Sequence, residues 1–287
     1  MTRLIFRNVT KLNYNKYITG SGIGCISSSN RYAVKRRATK CCTNNMNNVN
    51  CAYITNINLS DLDLNNNVTI LECQSLTIDS NITIPPTNVF NNYGTIIINT
   101  SIINNSIINN YGTIISNSTI NNTSTSSSLI AVINNYSNIN VNVNSQIRND
   151  SGSIINNKSS GIIINNGEIF QPGNSIYGKA TFNNDGIFRN TAGFSPLGIN
   201  NYSDFINHGI IYNINSAIAM GDTYGSLINY NIIYNYNGAY IYFNSNTGAV
   251  FENNGTLYNG TTSCGEPHPT FNITPNPLGT VINSCPP

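Results

Sequence analysis

The hydrophobic and polar positions of this chain follow a nine-residue pattern that recurs between residues 90 and 259. An apolar residue is followed at two-residue intervals by Asn, then Gly, then a second apolar residue. Clear copies are FNNYGTIII (90–98), INNYGTIIS (108–116), IINNGEIFQ (163–171), FNNDGIFRN (182–190), FINHGIIYN (205–213) and FENNGTLYN (251–259). Looser copies with Ser or Asn in place of Gly are INNYSNINV (133–141), IRNDSGSII (147–155) and LINYNIIYN (227–235). Such self-similarity predicts a repeat array with about 20 residues per unit.

The key residues of each copy have the same parity, as Phe182, Asn184, Gly186 and Phe188 illustrate. Because alternate residues of an extended chain face one side, these residues are predicted to face inward on both sides of a bend. Asn and Gly tolerate left-handed backbone conformations, which a tight corner between strands is expected to require. Stacked units can bury the apolar face that one unit cannot, and each Asn can then bond to the Asn one coil away.

A unit of this length is too short for a βαβ crossover and fits a turn of two or three short strands. We therefore predict an all-β fold, a right-handed single-stranded parallel β-helix, which is the hand that parallel crossovers favour. The central positions of the copies, which mark nine predicted coils, are 94, 112, 137, 151, 167, 186, 209, 231 and 255. The segment VTILECQSLTIDSNITI (68–84) alternates in the same way and predicts a further coil.

The chain is predicted to divide into three parts. Residues 1–50 are a basic, Cys-bearing anchoring arm, residues 51–260 are the parallel β-helix, and residues 261–287 are a Pro-rich cap or tail. The cap is expected to protect the last coil, whose open edge would otherwise invite aggregation.

Composition supports a β-rich chain. Asn occurs 58 times and Ile 44 times in 287 residues, and only 8% of residues are charged, against about 25% in ordinary globular proteins. Asn and Ile are mediocre helix formers, whereas Ile and Tyr supply β-forming surface. No apolar run approaches the length of about 18 residues that a membrane span needs, so none is predicted. The first residues lack a long apolar segment, and no secretory signal is expected.

Basic residues are concentrated at the start of the chain. Residues 1–40 hold nine of the thirteen Lys and Arg and no Asp or Glu, so the remainder is mildly acidic. This distribution is typical either of a solvated tail or of an anchor onto an acidic partner surface. We assign anchoring, without specific nucleic-acid recognition, to the densest cluster: Arg31, Lys35, Arg36, Arg37 and Lys40.

The seven cysteines lie near the two ends of the chain. Five fall in residues 25–73 and two, Cys264 and Cys285, fall in the last 24 residues. Cys264 and Cys285 are the pair that we predict to form a disulfide, closing the Pro-rich tail. The sequence has no C-x-x-C pair and no His near the first group, so neither a metal site nor a cofactor is predicted.

Candidate enzyme chemistry on the rod is sparse. Glycoside hydrolysis needs two carboxylates about 5–9.5 Å apart, and the acidic residues here are spread about one per coil. Glu168 and Asp185 both flank a central Gly, which makes them the best candidate pair, although solvated surface acids are the alternative interpretation. His208 has no Ser or Cys partner at a defined spacing and is interpreted as a surface residue.

Aromatic residues form two candidate outward rows. The position three residues after the central Gly gives the predicted contact stripe, which is Phe170, Arg189, Tyr212, Tyr234 and Tyr258. The position just before the Gly gives Tyr93, Tyr111, Tyr136 and Tyr230. Exposed aromatic ladders favour a contact surface for protein subunits or for glycans, and stacking that only stabilises the rod is the other interpretation.

The N-N-x-G-T-I turns resemble those of Asn-rich β-helical surface proteins, including bacterial haemagglutinin-type adhesins. The Asn and Ile usage resembles that of proteins from AT-rich genomes. Together with the NRYAVKRRATKCC segment (30–42), the repeat looks like a structural protein of a large low-GC DNA virus of the giant-virus type. The resemblance covers residues 68–260 and implies a virion component, at the capsid or its surface, whose partners are other capsid proteins or further copies of itself.

The sequence therefore predicts a non-enzymatic structural protein. An adhesin-like receptor or carbohydrate binder is the first alternative, and a polysaccharide lyase or hydrolase is the second. Fold alone does not decide among them, because β-helices host many activities.

Overall fold

The computed structural model describes most of the repeat region. The described residues are 54–150, 152–171, 178–191, 203–220, 225–236, 239–243, 250–260 and 279–282. Within these ranges the chain forms a parallel β-solenoid of about eight turns with almost no helix. This confirms the predicted fold class. The anchoring cluster 31–40 and both Cys264 and Cys285 lie outside the described residues.

The longest sheet has eleven strands and runs along the whole rod. Its strands, in spatial order, are β1 (Thr55–Ile57), β3 (Gln74–Ile78), β6 (Thr95–Ile98), β9 (Thr113–Ser116), β12 (Asn138–Val141), β15 (Ile162–Asn165), β18 (Ile187–Asn190), β20 (Ile210–Ile214), β23 (Ile232–Tyr236), β26 (Thr256–Asn259) and β27 (Thr280–Ile282).

A second sheet has nine strands. They are β2 (Val68–Ile70), β5 (Val89–Asn92), β8 (Ile107–Asn110), β11 (Val132–Asn135), β14 (Ile154–Asn157), β17 (Ala180–Asn184), β19 (Ser203–Asn207), β22 (Ser226–Asn229) and β25 (Val250–Asn253). The third side of the early coils is a five-stranded sheet of β4 (Ile82–Ile84), β7 (Ile102–Asn104), β10 (Thr119–Asn122), β13 (Gln146–Asn149) and β16 (Glu168–Phe170). In the later coils β21 (Ala217–Met220) pairs with β24 (Tyr240–Phe243).

Each strand pairs in parallel with the equivalent strand one coil later. Ile155 of β14 lies opposite Phe182 of β17, and Phe182 lies opposite Phe205 of β19. This register keeps every inward position inward in the next coil, because side chains alternate strictly along a strand. The predicted coil at 68–84 is confirmed as strands β2, β3 and β4.

The inward side chains form one continuous apolar core. Ile fills most positions in the early coils, whereas the later coils combine Ile and Leu with four Phe residues: Phe182, Phe188, Phe205 and Phe251. All four Phe side chains are fully buried. The inward parity predicted for Phe182, Asn184 and Phe188 is therefore confirmed.

Asn side chains line the inside of the corner between the nine-stranded and the eleven-stranded sheets, here called the first corner. Each side-chain amide donates to the Asn carbonyl oxygen of the next coil at 2.7–2.8 Å. The members are Asn92, Asn110, Asn135, Asn157, Asn184, Asn207, Asn229 and Asn253, and all are buried. The ladder confirms the predicted coil-to-coil pairing and satisfies amides whose unpaired burial would cost about 1–3 kcal/mol each.

The other two corners carry shorter ladders. The second corner, after the eleven-stranded sheet, stacks Asn165, Asn190, Asn213, Asn235 and Asn259 at 2.7–2.9 Å. The third corner, after the five-stranded sheet, joins Asn104, Asn122 and Asn149 at 2.7–2.8 Å and ends on Gln171 at 3.2 Å.

Two of the nine predicted repeat copies were assigned to the wrong corner. The copy centred on residue 151 follows Asn149 at the third corner, and the copy centred on residue 167 follows Asn165 at the second. The first-corner Asn between them is Asn157, which the pattern missed because four residues, 158–161, separate it from the next strand. Within the described residues the first corner therefore occurs nine times, eight times with an inward Asn and once, between β2 and β3, with Ile70 in its place.

The predicted reason for the corner glycines was wrong. Neither Gly209 nor Gly255 has a positive φ angle. A Cβ atom on Gly209 would instead strike the carbonyl oxygen of Gly186, and one on Gly255 would strike that of Asn231. At these two positions the close approach of successive coils favours glycine, and the backbone is not left-handed. Ser137 and Asn231 occupy the same position in two other coils.

A short apolar segment closes the N-terminal end of the solenoid. After β1 the chain forms a 3-10 helix at Leu59–Asp61. Leu59, Leu62 and Leu64, together with Ile57, pack against the core at this end. Cys73, immediately before β3, is disulfide-bonded.

Candidate interaction surface

The outer face of the eleven-stranded sheet is apolar from β15 to β23, apart from Arg189. In β3 and β12 both outward positions are Ser, Thr or Asn, and in β6 and β9 one of the two is Thr. Two outward columns result from the strict alternation in its strands. We define the isoleucine–tyrosine face by these half-buried outward residues: Ile97, Ile115, Ile162, Ile164, Ile187, Ile210, Tyr212, Ile232, Tyr234 and Tyr258. Among the described residues of these strands, Arg189 is the one charged side chain that faces outward.

Three residues of the predicted contact stripe stack at one end of this face. Tyr212 lies opposite Tyr234, and Tyr234 lies opposite Tyr258. Their ring centroids are 5.1 and 4.9 Å apart, with interplanar angles of 13° and 17°. The rings therefore turn their faces toward each other along the rod and their edges toward solvent. We call them the sheet stack.

The other two stripe residues differ in position. Arg189 is exposed and lies opposite Tyr212, so it continues the column by one coil. Phe170 lies instead on the five-stranded sheet, opposite Arg148, whose guanidinium carbon is 5.4 Å from the Phe170 ring centroid. The stripe as predicted is therefore wrong at Phe170, because Gly167 belongs to the second corner and its followers enter a different sheet.

The residues just before the corner Gly form a second row. Tyr93, Tyr111 and Tyr136 stack with centroids 4.8 and 4.6 Å apart and interplanar angles of 9° and 11°. We call these three residues the corner stack. Tyr230 does not continue it, because residues 158 and 185 of the intervening coils are Lys and Asp. Tyr230 stacks on the exposed His208 at 4.6 Å instead.

Stacking changes the acidity of the central ring of each trio. Partial burial raises the pKa of Tyr111, and the neighbouring Tyr136 and Tyr93 raise it further. Burial likewise raises the pKa of Tyr234, with added contributions from Tyr212 and Tyr258. The cause is common to both, since a phenolate would be poorly solvated and would lie beside other phenols.

The candidate catalytic carboxylates are not brought together. Glu168 is the first residue of β16, a strand of the five-stranded sheet, and it accepts a hydrogen bond from the Gln146 amide at 2.6 Å. Asp185 is exposed at the first corner, between the nine-stranded and eleven-stranded sheets. The two acids therefore lie at different corners of their coils.

The remaining carboxylates in the later coils tie neighbouring strands together. Asp204 accepts from Lys179 at 3.1 Å and from the Ser226 hydroxyl at 2.7 Å. Asp150 pairs with Arg148 at 2.9 Å and accepts from Thr123 at 3.0 Å. Such half-exposed pairs contribute little to stability, typically below about 1 kcal/mol.

Among the residues that the structure describes, no three or more His, Cys, Asp or Glu side chains gather where they could hold a metal ion. Within the same ranges, no helix has the length and apolarity to cross a bilayer.

Sequence reasoning missed two regular features of the surface. The first feature is the Ile columns of the isoleucine–tyrosine face. The alternation of inward and outward residues could have predicted them, because Ile162, Ile187 and Ile210 lie between inward positions. The second feature is an outward amide ladder on the nine-stranded sheet. It joins Asn91, Asn109, Asn134, Asn156 and Asn183 at 2.8–2.9 Å.

Comparison of this chain with protein-family models, with curated proteins and with solved structures found no match. We therefore infer function from the geometry of the rod and from the residues on its outer faces.

Proposed function

We propose that this chain is a non-enzymatic structural protein that assembles with other proteins through the isoleucine–tyrosine face. The observation that carries the proposal is the composition of that face, which presents stacked columns of Ile and Tyr and one charged residue, Arg189. From β15 to β23 these half-buried side chains form one apolar surface, interrupted by Arg189. Contiguous apolar surface of this kind is rare on monomeric proteins and typical of contact sites. Depletion of charge and enrichment of Tyr are also features of the centres of protein interfaces.

A protein partner suits this face better than a glycan does. A sugar that stacks on an aromatic residue needs a free ring face, and the rings of the sheet stack cover each other's faces. Flat columns of Ile at regular spacing match another flat apolar surface. Binding of a glycan array by the wild-type chain, lost in Tyr212→Ala and Tyr234→Ala variants, would favour the adhesin-like alternative.

The proposed setting is the particle of a large DNA virus, at the capsid or its surface, with other capsid proteins as partners. The composition and the repeat resemblance support this setting, and the basic arm is proposed as the anchor. Quantitative mass spectrometry of purified particles is expected to find the chain in near-stoichiometric copies. Its absence from the particles would exclude the setting while leaving the interface proposal intact.

The interface is tested with two matched variants from one coil. Ile164→Lys places a charge on the isoleucine–tyrosine face, whereas Ile154→Lys places the same charge on the outer face of the nine-stranded sheet. Both positions are half-buried and outward, so both variants are expected to fold. We expect incorporation into assembled particles to fall several-fold for Ile164→Lys and to change little for Ile154→Lys. Equal incorporation of the two would contradict the proposal.

A further inference from the structure

We propose that the two tyrosine stacks are sites of oxidative cross-linking, at which adjacent coils become joined through dityrosine. The inference goes beyond the proposed function and does not depend on it. The structure places equivalent phenols of successive coils in near-parallel contact, with centroids 4.6–5.1 Å apart. Dityrosine forms between two phenols that meet ring to ring, and here the parallel register holds them there in the folded state.

The corner stack has the better access to an oxidant. Tyr93 is 36% exposed and Tyr111 is 40% exposed. The rings of Tyr111 and Tyr136 are 11° from parallel with centroids 4.6 Å apart, so one phenol lies over the other. Coupling joins ring carbons ortho to the two hydroxyls, and the stacked arrangement keeps these carbons of neighbouring rings within reach of each other.

The reaction balances with a peroxide as oxidant. Each phenol loses one electron and one proton to give a phenoxyl radical, and the two radicals form a carbon–carbon bond between their ortho carbons. The two ring hydrogens then move to the phenolic oxygens, which restores both aromatic rings. Hydrogen peroxide, acting through a peroxidase, accepts the two electrons and two protons and becomes two molecules of water.

The experiment treats the purified full-length chain with hydrogen peroxide and a peroxidase and maps the cross-linked peptides. The chain has no Lys or Arg between residues 41 and 147 or after residue 189. Trypsin would therefore leave each stack within a single peptide, so elastase is used. We expect peptide pairs lighter by two hydrogens that join Tyr111 to Tyr93 or Tyr136, and pairs that join Tyr234 to Tyr212 or Tyr258.

Conservative variants test the assignment. Tyr111→Phe and Tyr234→Phe keep the stacked rings and remove the central phenol of each stack, so the double variant is expected to lose dityrosine fluorescence several-fold. Tyr230→Phe is the matched control, since Tyr230 stacks on His208 rather than on another tyrosine. It is expected to react like the wild-type chain. Circular dichroism checks that every variant keeps its β structure.

Three results would overturn the proposal. The first is a double variant as fluorescent as the wild-type chain. The second is a peptide map in which other tyrosines are the ones joined. The third is cross-linking only between chains, recognised by its loss on dilution. If a variant does not fold, the peptide map of the wild-type chain decides alone.

Discussion

The early and late coils of the rod fill the same lumen with different side chains. Coils up to β16 have three sheets, and their inward positions are mostly Ile. Later coils lack the five-stranded side among the described residues, and Phe182, Phe188 and Phe205 meet across the lumen there. The ring centroids of these Phe residues are 4.8–5.9 Å apart, in tilted and edge-to-face contacts.

The feature that the early and late coils share is the Asn ladder at the first corner, whereas the side chains that fill the core differ. We infer that the corner, more than the core, determines how successive coils stack. The first-corner Asn ladder runs without interruption from the early coils into the late ones. Core volume then adapts to the space that remains. In the early coils it adapts incompletely, since a narrow apolar gap of about 20 Å³ remains between residues that include Ile96, Ile114 and Ile133. A gap with such apolar walls is expected to stay dry.

The largest effect is expected from emptying the late core. Phe205→Ala removes a ring that contacts both Phe182 and Phe188. We expect the free energy of unfolding to fall by about 3–5 kcal/mol, as for other buried Phe truncations, measured by urea denaturation. Ile206→Ala is the control, because Ile206 is the outward neighbour in the same strand. Equal losses for the two variants would contradict the core assignment.

The next effect is expected at the ladder that both halves share. Asn157→Ala removes the amide that donates to the Asn184 side-chain oxygen and to the Ile187 main-chain oxygen. It also removes one of the three acceptors of the Asn135 amide. The loss is expected to be about 2–4 kcal/mol, because each stranded buried group costs about 1–3 kcal/mol. The adjacent Asn156 belongs to the outward ladder, so Asn156→Ala should cost much less in the same urea titration. If Asn156→Ala lowered the free energy of unfolding more than Asn157→Ala, the outward amide ladder would be the one that stabilises the stacked coils.

A smaller effect separates the two halves directly. Ile114→Phe adds volume beside the apolar gap, whereas Ile211→Phe adds it to a coil that already contains Phe rings. Overpacking typically costs about 1–3 kcal/mol, and we expect Ile211→Phe to lie at the upper end and Ile114→Phe at the lower. Thermal melting of the two variants measures the difference. The reverse order would mean that the gap does not relieve strain.

The smallest effect is expected from pH, and it should appear in both halves because each has one tyrosine stack. The pKa values of Tyr111 and Tyr234 are raised in the folded chain, so folding holds their protons more tightly than the unfolded state does. The stacks therefore contribute full stability below the unfolded tyrosine pKa of about 10. That contribution is lost as pH rises through the folded values.

Melting temperatures on either side of this range test the pH effect. The wild-type chain is expected to lose more stability at alkaline pH than a Tyr111→Phe/Tyr234→Phe double variant, whose central rings do not ionise. An alkaline loss of the same size in both proteins would show that the stacks do not cause it.

The sequence was sufficient to predict the fold and the first-corner ladder. Strict alternation around Asn184 places its side chain inward. The two-residue spacing of apolar residue, Asn, Gly and apolar residue is the same in each copy, and this predicts that the coils stack in register. The corner assignment failed at residues 151 and 167 because Asn followed by a small residue suits any of the three corners. Only strand pairing distinguishes them, and pairing depends on contacts between residues about 20 positions apart in sequence.

The residues of the predicted contact stripe fall in one column only where the corner assignment was right. Tyr212, Tyr234 and Tyr258 follow first-corner residues and stack, whereas Phe170 follows a second-corner glycine and lies on another sheet. The role of the glycines could not be derived from the sequence. Glycine is used both where a Cβ atom would strike a carbonyl oxygen and where the backbone has a positive φ angle, and the sequence does not distinguish the two.

The leucine-bearing segment at the N-terminal end has a consequence for the length of the rod. An end-to-end filament would continue the apolar lumen from one molecule into the next, and Leu59, Leu62 and Leu64 close that lumen. We therefore expect that a second molecule does not extend the core at this end, so that the number of repeats sets the length of the rod. Since each coil adds about 4.8 Å along the axis, the length of such a rod is proportional to the number of its repeats.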